Sequence, residues 1–135
     1  MGTIARGAAS AVIPLFLLAA FTSRAAAQCS NTAPSSGTTV TCSGSSSTRV
    51  VAVGGSTGVT INVAPGASVS ASHNSAIPFP ILSVEQSSAI TNNGTLSLSG
   101  GGGSGTNRGA AMLGNTNGNM LTNAAGATIN NRRLQ

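Results

Sequence analysis

Apolar residues along this chain fall into one unbroken run near the start and into short clusters everywhere else. The run extends from Ala8 to Phe21 (AASAVIPLFLLAAF). Beyond it, RVVAV at 49–53 is a β-branched cluster closed by Gly54-Gly55. Val59, Ile61 and Val63 alternate with Thr60 and Asn62, the period-2 pattern of a half-buried strand. Pro65-Gly66 predicts a turn, and Ala67–Ser70 a further strand. More short strands are predicted at Ile81–Val84, around Ile90, at Leu96–Leu98, at Ala110–Leu113, and near Leu121 and Ile129. Residues 30–48 (SNTAPSSGTTVTCSGSSST) bury little and read as loop-like on their own. No useful helical periodicity follows Phe21, so the predicted class is all-β.

The clusters repeat. ILSVEQSSAITNNGTL at 81–96 matches MLGNTNGNMLTNAAGATI at 112–129 with an offset of 31, which pairs Ile81 with Met112, Ile90 with Leu121, Thr91 with Thr122 and Asn92 with Asn123. One inserted alanine then sets Gly94 opposite Gly126. A looser copy lies at 61–69, where Gly66-Ala67-Ser68-Val69 echoes Gly126-Ala127-Thr128-Ile129. Self-similarity at this period predicts a β-solenoid, in which each repeat buries its apolar face on its neighbours. Asn suits the corners because its amide can form ladders with stacked neighbours.

The N-terminal run has the form of a secretory signal. Arg6 lies in a short basic n-region, and Ala25-Ala26-Ala27 fits the small-residue cleavage rule, which puts the cut between Ala27 and Gln28. The apolar run is shorter than the roughly 20 residues of a transmembrane helix. Removing residues 1–27 lowers the formal charge from +5 to +3, from Arg49, Arg108, Arg132 and Arg133 against Glu85. Nothing in that set forms a basic stripe, so nucleic acid is not an expected partner. Charged residues are only 5% and aromatics 2%, and Asp, Lys, Trp and Tyr are lacking. Acid–base catalysis needs such groups in pairs, so the chain is not expected to be an enzyme, and neither a cofactor nor a small-molecule substrate is inferred. Stacking favours the same scarcity: a charge repeated from coil to coil would face its own copy about 4.8 Å away.

Cys29 and Cys42, an even pair behind an export signal, predict a structural disulfide. A metal site is a poor alternative, since His73 is the single histidine.

The signal, the small Cys loop TTVTCSG (38–44) and the repeats AITNNGTLSLSG (89–100) and MLTNAAGATI (120–129) together resemble the start of a bacterial autotransporter passenger of the type V secretion family. The resemblance implies a right-handed parallel β-helix exported through an outer-membrane β-barrel. No segment reads as that barrel, and Asn131-Arg132-Arg133-Leu134-Gln135 breaks the repeat texture, so a truncated passenger is expected. The expected organisation is a cleavable signal peptide (1–27), a Ser/Thr/Gly-rich segment with the Cys29–Cys42 loop (28–48), β-helix repeats (49–131) and a tail (132–135).

Other candidates weigh less. His73 with Glu85 and any serine is the only conceivable triad, no G-x-S-x-G elbow accompanies it, and His73 in SASHNSAIP reads as a loop residue. The glycine run from Gly100 to Gly109 has neither phosphate-loop spacing nor lysine and reads as a protruding loop. Asn93-Gly94-Thr95 reads as a tight turn, and Ile77–Ile81, with its two prolines, as a corner. The expected role is that of a non-enzymatic exported or cell-surface passenger fragment, structural or adhesive. The alternatives are a remnant without independent activity and the N-terminal piece of an exported hydrolase. Expected partners are the secretion machinery, through the signal peptide, and a surface or second copy at an open solenoid edge. The expected location is the cell surface or outer membrane for a complete autotransporter, and the periplasm or medium for this fragment alone.

Overall fold

A computed structural model describes residues 28–73, 80–100 and 110–133. The signal peptide predicted over 1–27 lies outside the described residues, as do residues 74–79 and 101–109. The described residues contain no helix, and none therefore that is long and apolar enough to cross a membrane.

Eleven strands are described: β1 Thr39–Cys42, β2 Ser45–Ser46, β3 Val50–Val51, β4 Thr60–Val63, β5 Ser68–His73, β6 Leu82–Val84, β7 Ala89–Asn92, β8 Thr95–Gly100, β9 Met112–Gly114, β10 Met120–Asn123 and β11 Thr128–Arg133. Each pairs in parallel with the strand three places on. Sheet A is β1-β4-β7-β10, sheet B is β2-β5-β8-β11 and sheet C is β3-β6-β9. The chain thus visits A, B and C in turn, three times, and then A and B again. Successive circuits in sheet A set Thr39 beside Thr60, Thr60 beside Ala89 and Ala89 beside Met120, so the first circuit is the shortest and the third the longest.

Period-2 patterning drives the short strands. Val59, Ile61 and Val63 are fully buried while Thr60 and Asn62 between them are half-buried. Parallel pairing without register slip then stacks like on like. Val40, Ile61, Ile90 and Leu121 form one inward column of sheet A. Val69, Leu96 and Ile129 form one in sheet B, and Val50, Leu82 and Met112 one in sheet C. The core runs through the first three circuits: Val40 and Val50 in the first, Ile61 and Leu82 in the second, and Ile90, Leu96 and Leu98 in the third have no exposed surface.

Several expectations from sequence need correction. The segment 30–48, loop-like alone, supplies β1 and β2: β1 buries Val40 and Cys42 on β4, and the two serines of β2 gain their ladder from β5. His73 closes strand β5, and Arg132 and Arg133 continue β11 beside Ser99 and Gly100, so neither a loop at His73 nor a break at Asn131 is present. Met112 pairs with Leu82 and not Ile81, an offset of 30. The offset of 31 at Asn92–Asn123 becomes 33 at Thr95–Thr128, so two residues are inserted and Gly94 is not the counterpart of Gly126.

That last difference has a steric cause. The corners from sheet A to sheet B alternate between two residues (43–44, 93–94) and four (64–67, 124–127). Gly94 tucks against the longer corner beneath it, where an added Cβ would lie 2.3 Å from the Ala67 carbonyl oxygen and 2.8 Å from that of Ala64. Gly126 instead has φ +82°, matching Gly66 at +74° in the equivalent four-residue corner. The two glycines answer different demands.

Equivalent inward positions are therefore predicted to differ in energetic weight. Ile90→Ala, in the enclosed third circuit, is expected to cost about 2–5 kcal/mol. Leu121→Ala, next in the same column but 43% exposed, is expected to cost roughly half as much or less. Urea unfolding of the two variants checks the ranking, and equal costs would contradict it.

Candidate functional site

The residues singled out from sequence fall into separate places. Cys29 and Cys42 are joined by a disulfide with an S–S distance of 2.04 Å, both half-cystines buried. Gln28, the residue after the expected cleavage point, is exposed, and its carbonyl accepts a hydrogen bond from the Ser43 amide at 3.4 Å. Ala27 lies outside the described residues. His73 ends β5 in sheet B, whereas Glu85 follows β6 of sheet C. The Glu85 carboxylate accepts from Asn115 Nδ2 at 2.7 Å, and the same amide donates to Ser83 Oγ at 3.2 Å. That contact links two successive circuits. No group of three or more His, Cys, Asp or Glu capable of holding a metal occurs among the described residues.

The disulfide belongs to a cap. Residues 28–36 run along the outer side of the first circuit, where Cys29 lies antiparallel to Cys42. Ser30 N–H donates to the Thr41 carbonyl at 3.0 Å, and the Thr41 amide donates back to Ser30 Oγ at 3.1 Å. Farther on, Val51 and Val53 donate to the carbonyls of Thr32 and Pro34 at 2.9 and 3.0 Å. The cap thus closes the outer edges of sheets A and C, and β2, the edge strand of sheet B, is only two residues long. Pro34 is buried there, in a segment that need not donate onward to another strand. Sequence reading found the disulfide but missed the cap. Its residues are Ser, Thr, Asn and Pro, and the hydrogen bonds use backbone groups that carry no residue signature.

No protein-family model matches the chain, and no curated protein or solved structure matches it either. What the site's residues do is hold circuits together.

Two further features serve the same end. Asn92 is fully buried at the corner between sheets A and B. Its Nδ2 donates to Asn123 Oδ1 at 2.8 Å and to the Thr128 carbonyl at 3.3 Å, and its Oδ1 accepts from the Gly94 amide at 3.1 Å. The amide is thus satisfied on both sides, which is what allows a polar group at an inward position. The ladder has two rungs only, because Cys42 and Val63 hold the equivalent places in the first two circuits.

The second feature was not legible beforehand. Gly37, Gly58, Ser87 and Gly118 lie two residues ahead of β1, β4, β7 and β10, and all have positive φ, at 71°, 67°, 50° and 78°. This left-handed column turns the chain into sheet A on every circuit. Glycine adopts that conformation readily and Ser does not. Ser87 therefore hides the pattern in the sequence and is the strained member of the column.

Loss of the cap and of the Asn rung is expected to weaken folding by distinct routes. The Cys29→Ser/Cys42→Ser variant is predicted to lose about 2–4 kcal/mol, the chain-entropy value for so short a loop, read from chemical unfolding under non-reducing conditions. Asn92→Leu leaves the buried Gly94 amide unpaired, for a predicted cost of about 1–3 kcal/mol. If Asn92→Leu unfolded no earlier than the wild type, the rung would not be structural.

Proposed function

We propose that the chain is a non-enzymatic scaffold, the N-terminal part of an exported passenger built as a right-handed parallel β-helix. The observation that carries this reading is the circuit order: eleven strands enter three parallel sheets in strict rotation, with in-register pairing throughout. Crossovers between parallel strands of one sheet are right-handed in nearly all proteins, which supports the hand. A structure of this kind spreads a small core along an axis and leaves its outward faces to Ser, Thr and Asn. Such faces suit a stalk or an adhesive surface and offer no grouped acids and bases.

Export is supported by two independent features. The segment 1–27 has the composition of a secretory signal. A disulfide ties down the cap immediately after it, and such bonds persist in oxidising compartments. With the resemblance to autotransporter passengers, these make the cell surface, reached by type V secretion, the proposed destination of the complete polypeptide.

Expression of the full chain in a Gram-negative host is expected to yield a product whose N-terminus is Gln28. Its circular dichroism is expected to show β structure without helix, and its two cysteines should resist alkylation unless reduced. A product that retains Met1, or one with a random-coil spectrum, would overturn the proposal.

A further inference from the structure

The cap is tied to the stack in two ways that differ in kind. One is a set of hydrogen bonds from the outer edge: the amide of Thr41 donates to Ser30 Oγ, and those of Ser43, Val51 and Val53 donate to the carbonyls of Gln28, Thr32 and Pro34. The other is the Cys29–Cys42 bond, which closes a loop with a sequence separation of 13. Apolar burial adds little, since Cys29 and Pro34 are the only buried residues between 28 and 36. A few hydrogen bonds, each of modest net worth, have to offset the ordering of the whole segment. The covalent bond is therefore what keeps the cap in place.

We propose that Cys29–Cys42 is a redox latch: oxidised, it holds the cap on the first circuit, and reduced, it lets the cap come away while the circuits beneath stay folded. The step balances with a dithiol as reductant. Its thiolate attacks Cys29 Sγ, on the half-cystine that is 7% exposed against 1% for Cys42. The Cys29–Cys42 bond breaks, and Cys42 leaves as a thiolate that takes up a proton. The reductant's second thiol then displaces Cys29 in the same way, which leaves a disulfide in the reductant and two thiols in the protein. With the bond open, the cap is joined to the stack at one end only, where it runs into β1.

What the latch controls is an edge and a patch of core. Val40 and Val50 begin their columns and have a neighbour on one side only, Ile61 and Leu82, yet neither has exposed surface. Cys29 belongs to the same buried cluster, so the cap is their outer cover. Its opening frees the amides of Thr41, Ser43, Val51 and Val53 and uncovers both valines. The first circuit is then a pairing edge in reducing surroundings and a finished end in oxidising ones. The circuits beneath keep their own ladders, in which Ala89 donates to the Val59 carbonyl and Thr95 to that of Ala67, so the opening is local. The latch rests on the cap and the first circuit alone and not on the export reading.

Amide hydrogen exchange on the full chain, with and without a dithiol and at a series of low urea concentrations, tests the latch. Reduction is expected to speed exchange at Thr41, Ser43, Val51 and Val53 together, by about 100-fold, the loop-closure value for a loop of this size. In the reduced chain these amides should exchange through an opening that low urea barely accelerates, while Ala89 and Thr95 exchange only through one that urea promotes steeply. Cys29→Ser/Cys42→Ser should show the reduced pattern whether or not the dithiol is present. Unchanged exchange at the edge amides on reduction, or a variant that still responds to the dithiol, would overturn the proposal. So would one steep urea dependence shared by edge and inner amides alike, which would make the disulfide a staple of the whole fold.

Discussion

Every strand in this protein finds its hydrogen-bond partner one circuit away along the chain, and that parallel ladder is what the rest of the structure depends on. Individual strands run to six residues at most, down to two for β2 and β3, too few to hold a sheet by their own burial. Stacked in register, they acquire a neighbour on each side, and their inward residues become columns. The core is therefore made between circuits and not within one. Ile90 is enclosed because Ile61 lies below it and Leu121 above it. Leu121 and Ile129, in the last circuit among the described residues, have a neighbour in the column on one side only and are partly exposed.

The same constraint explains where polar groups are tolerated. Stacking puts each corner residue against its counterpart one circuit on, so a side-chain amide serves where it can bridge the two. Asn92 bonds to Asn123, Asn119 Oδ1 accepts from the Ser88 amide, and Ser88 Oγ accepts from that of Val59. These are contacts from one circuit to the next, and they keep buried polar atoms satisfied in a small core. A charge in the same position would face its own copy, and the near lack of Asp, Glu and Lys follows from that geometry as much as from any want of chemistry.

The ends need separate solutions because a ladder has no natural terminus. At the first circuit, a segment with no apolar periodicity crosses the edge, supplies carbonyl acceptors, and is fixed by Cys29–Cys42. Its value lies in removing an edge, which is why Ser, Thr and Pro suffice. The other end has no such segment among the described residues, and the asymmetry gives the stack a direction.

The alternation at 59–63, the repeat linking 89–92 to 120–123, and the cysteine pair were all legible in the amino-acid sequence, since each is a local pattern of side chains. So was the class of the fold. The sequence did not mark out β1 and β2, because their flanks are Ser, Thr and Gly: the alternation Thr39-Val40-Thr41-Cys42 is only one short stretch of the pattern, and β2 is two serines that carry no strand signal until β5 lies beside them. Nor could it distinguish Gly94, required by the nearness of the Ala64 and Ala67 carbonyls, from Gly126, required by its left-handed backbone. The column Gly37, Gly58, Ser87 and Gly118 stayed hidden for a related reason: its members are unevenly spaced along the chain, and one of them is not glycine. By itself the sequence determined which residues face inward, because a period of two is written in the order of apolar and polar side chains. Only the tertiary structure decided which circuits enclose them, because enclosure depends on backbone pairing between distant segments, and backbone groups are the same at nearly every residue.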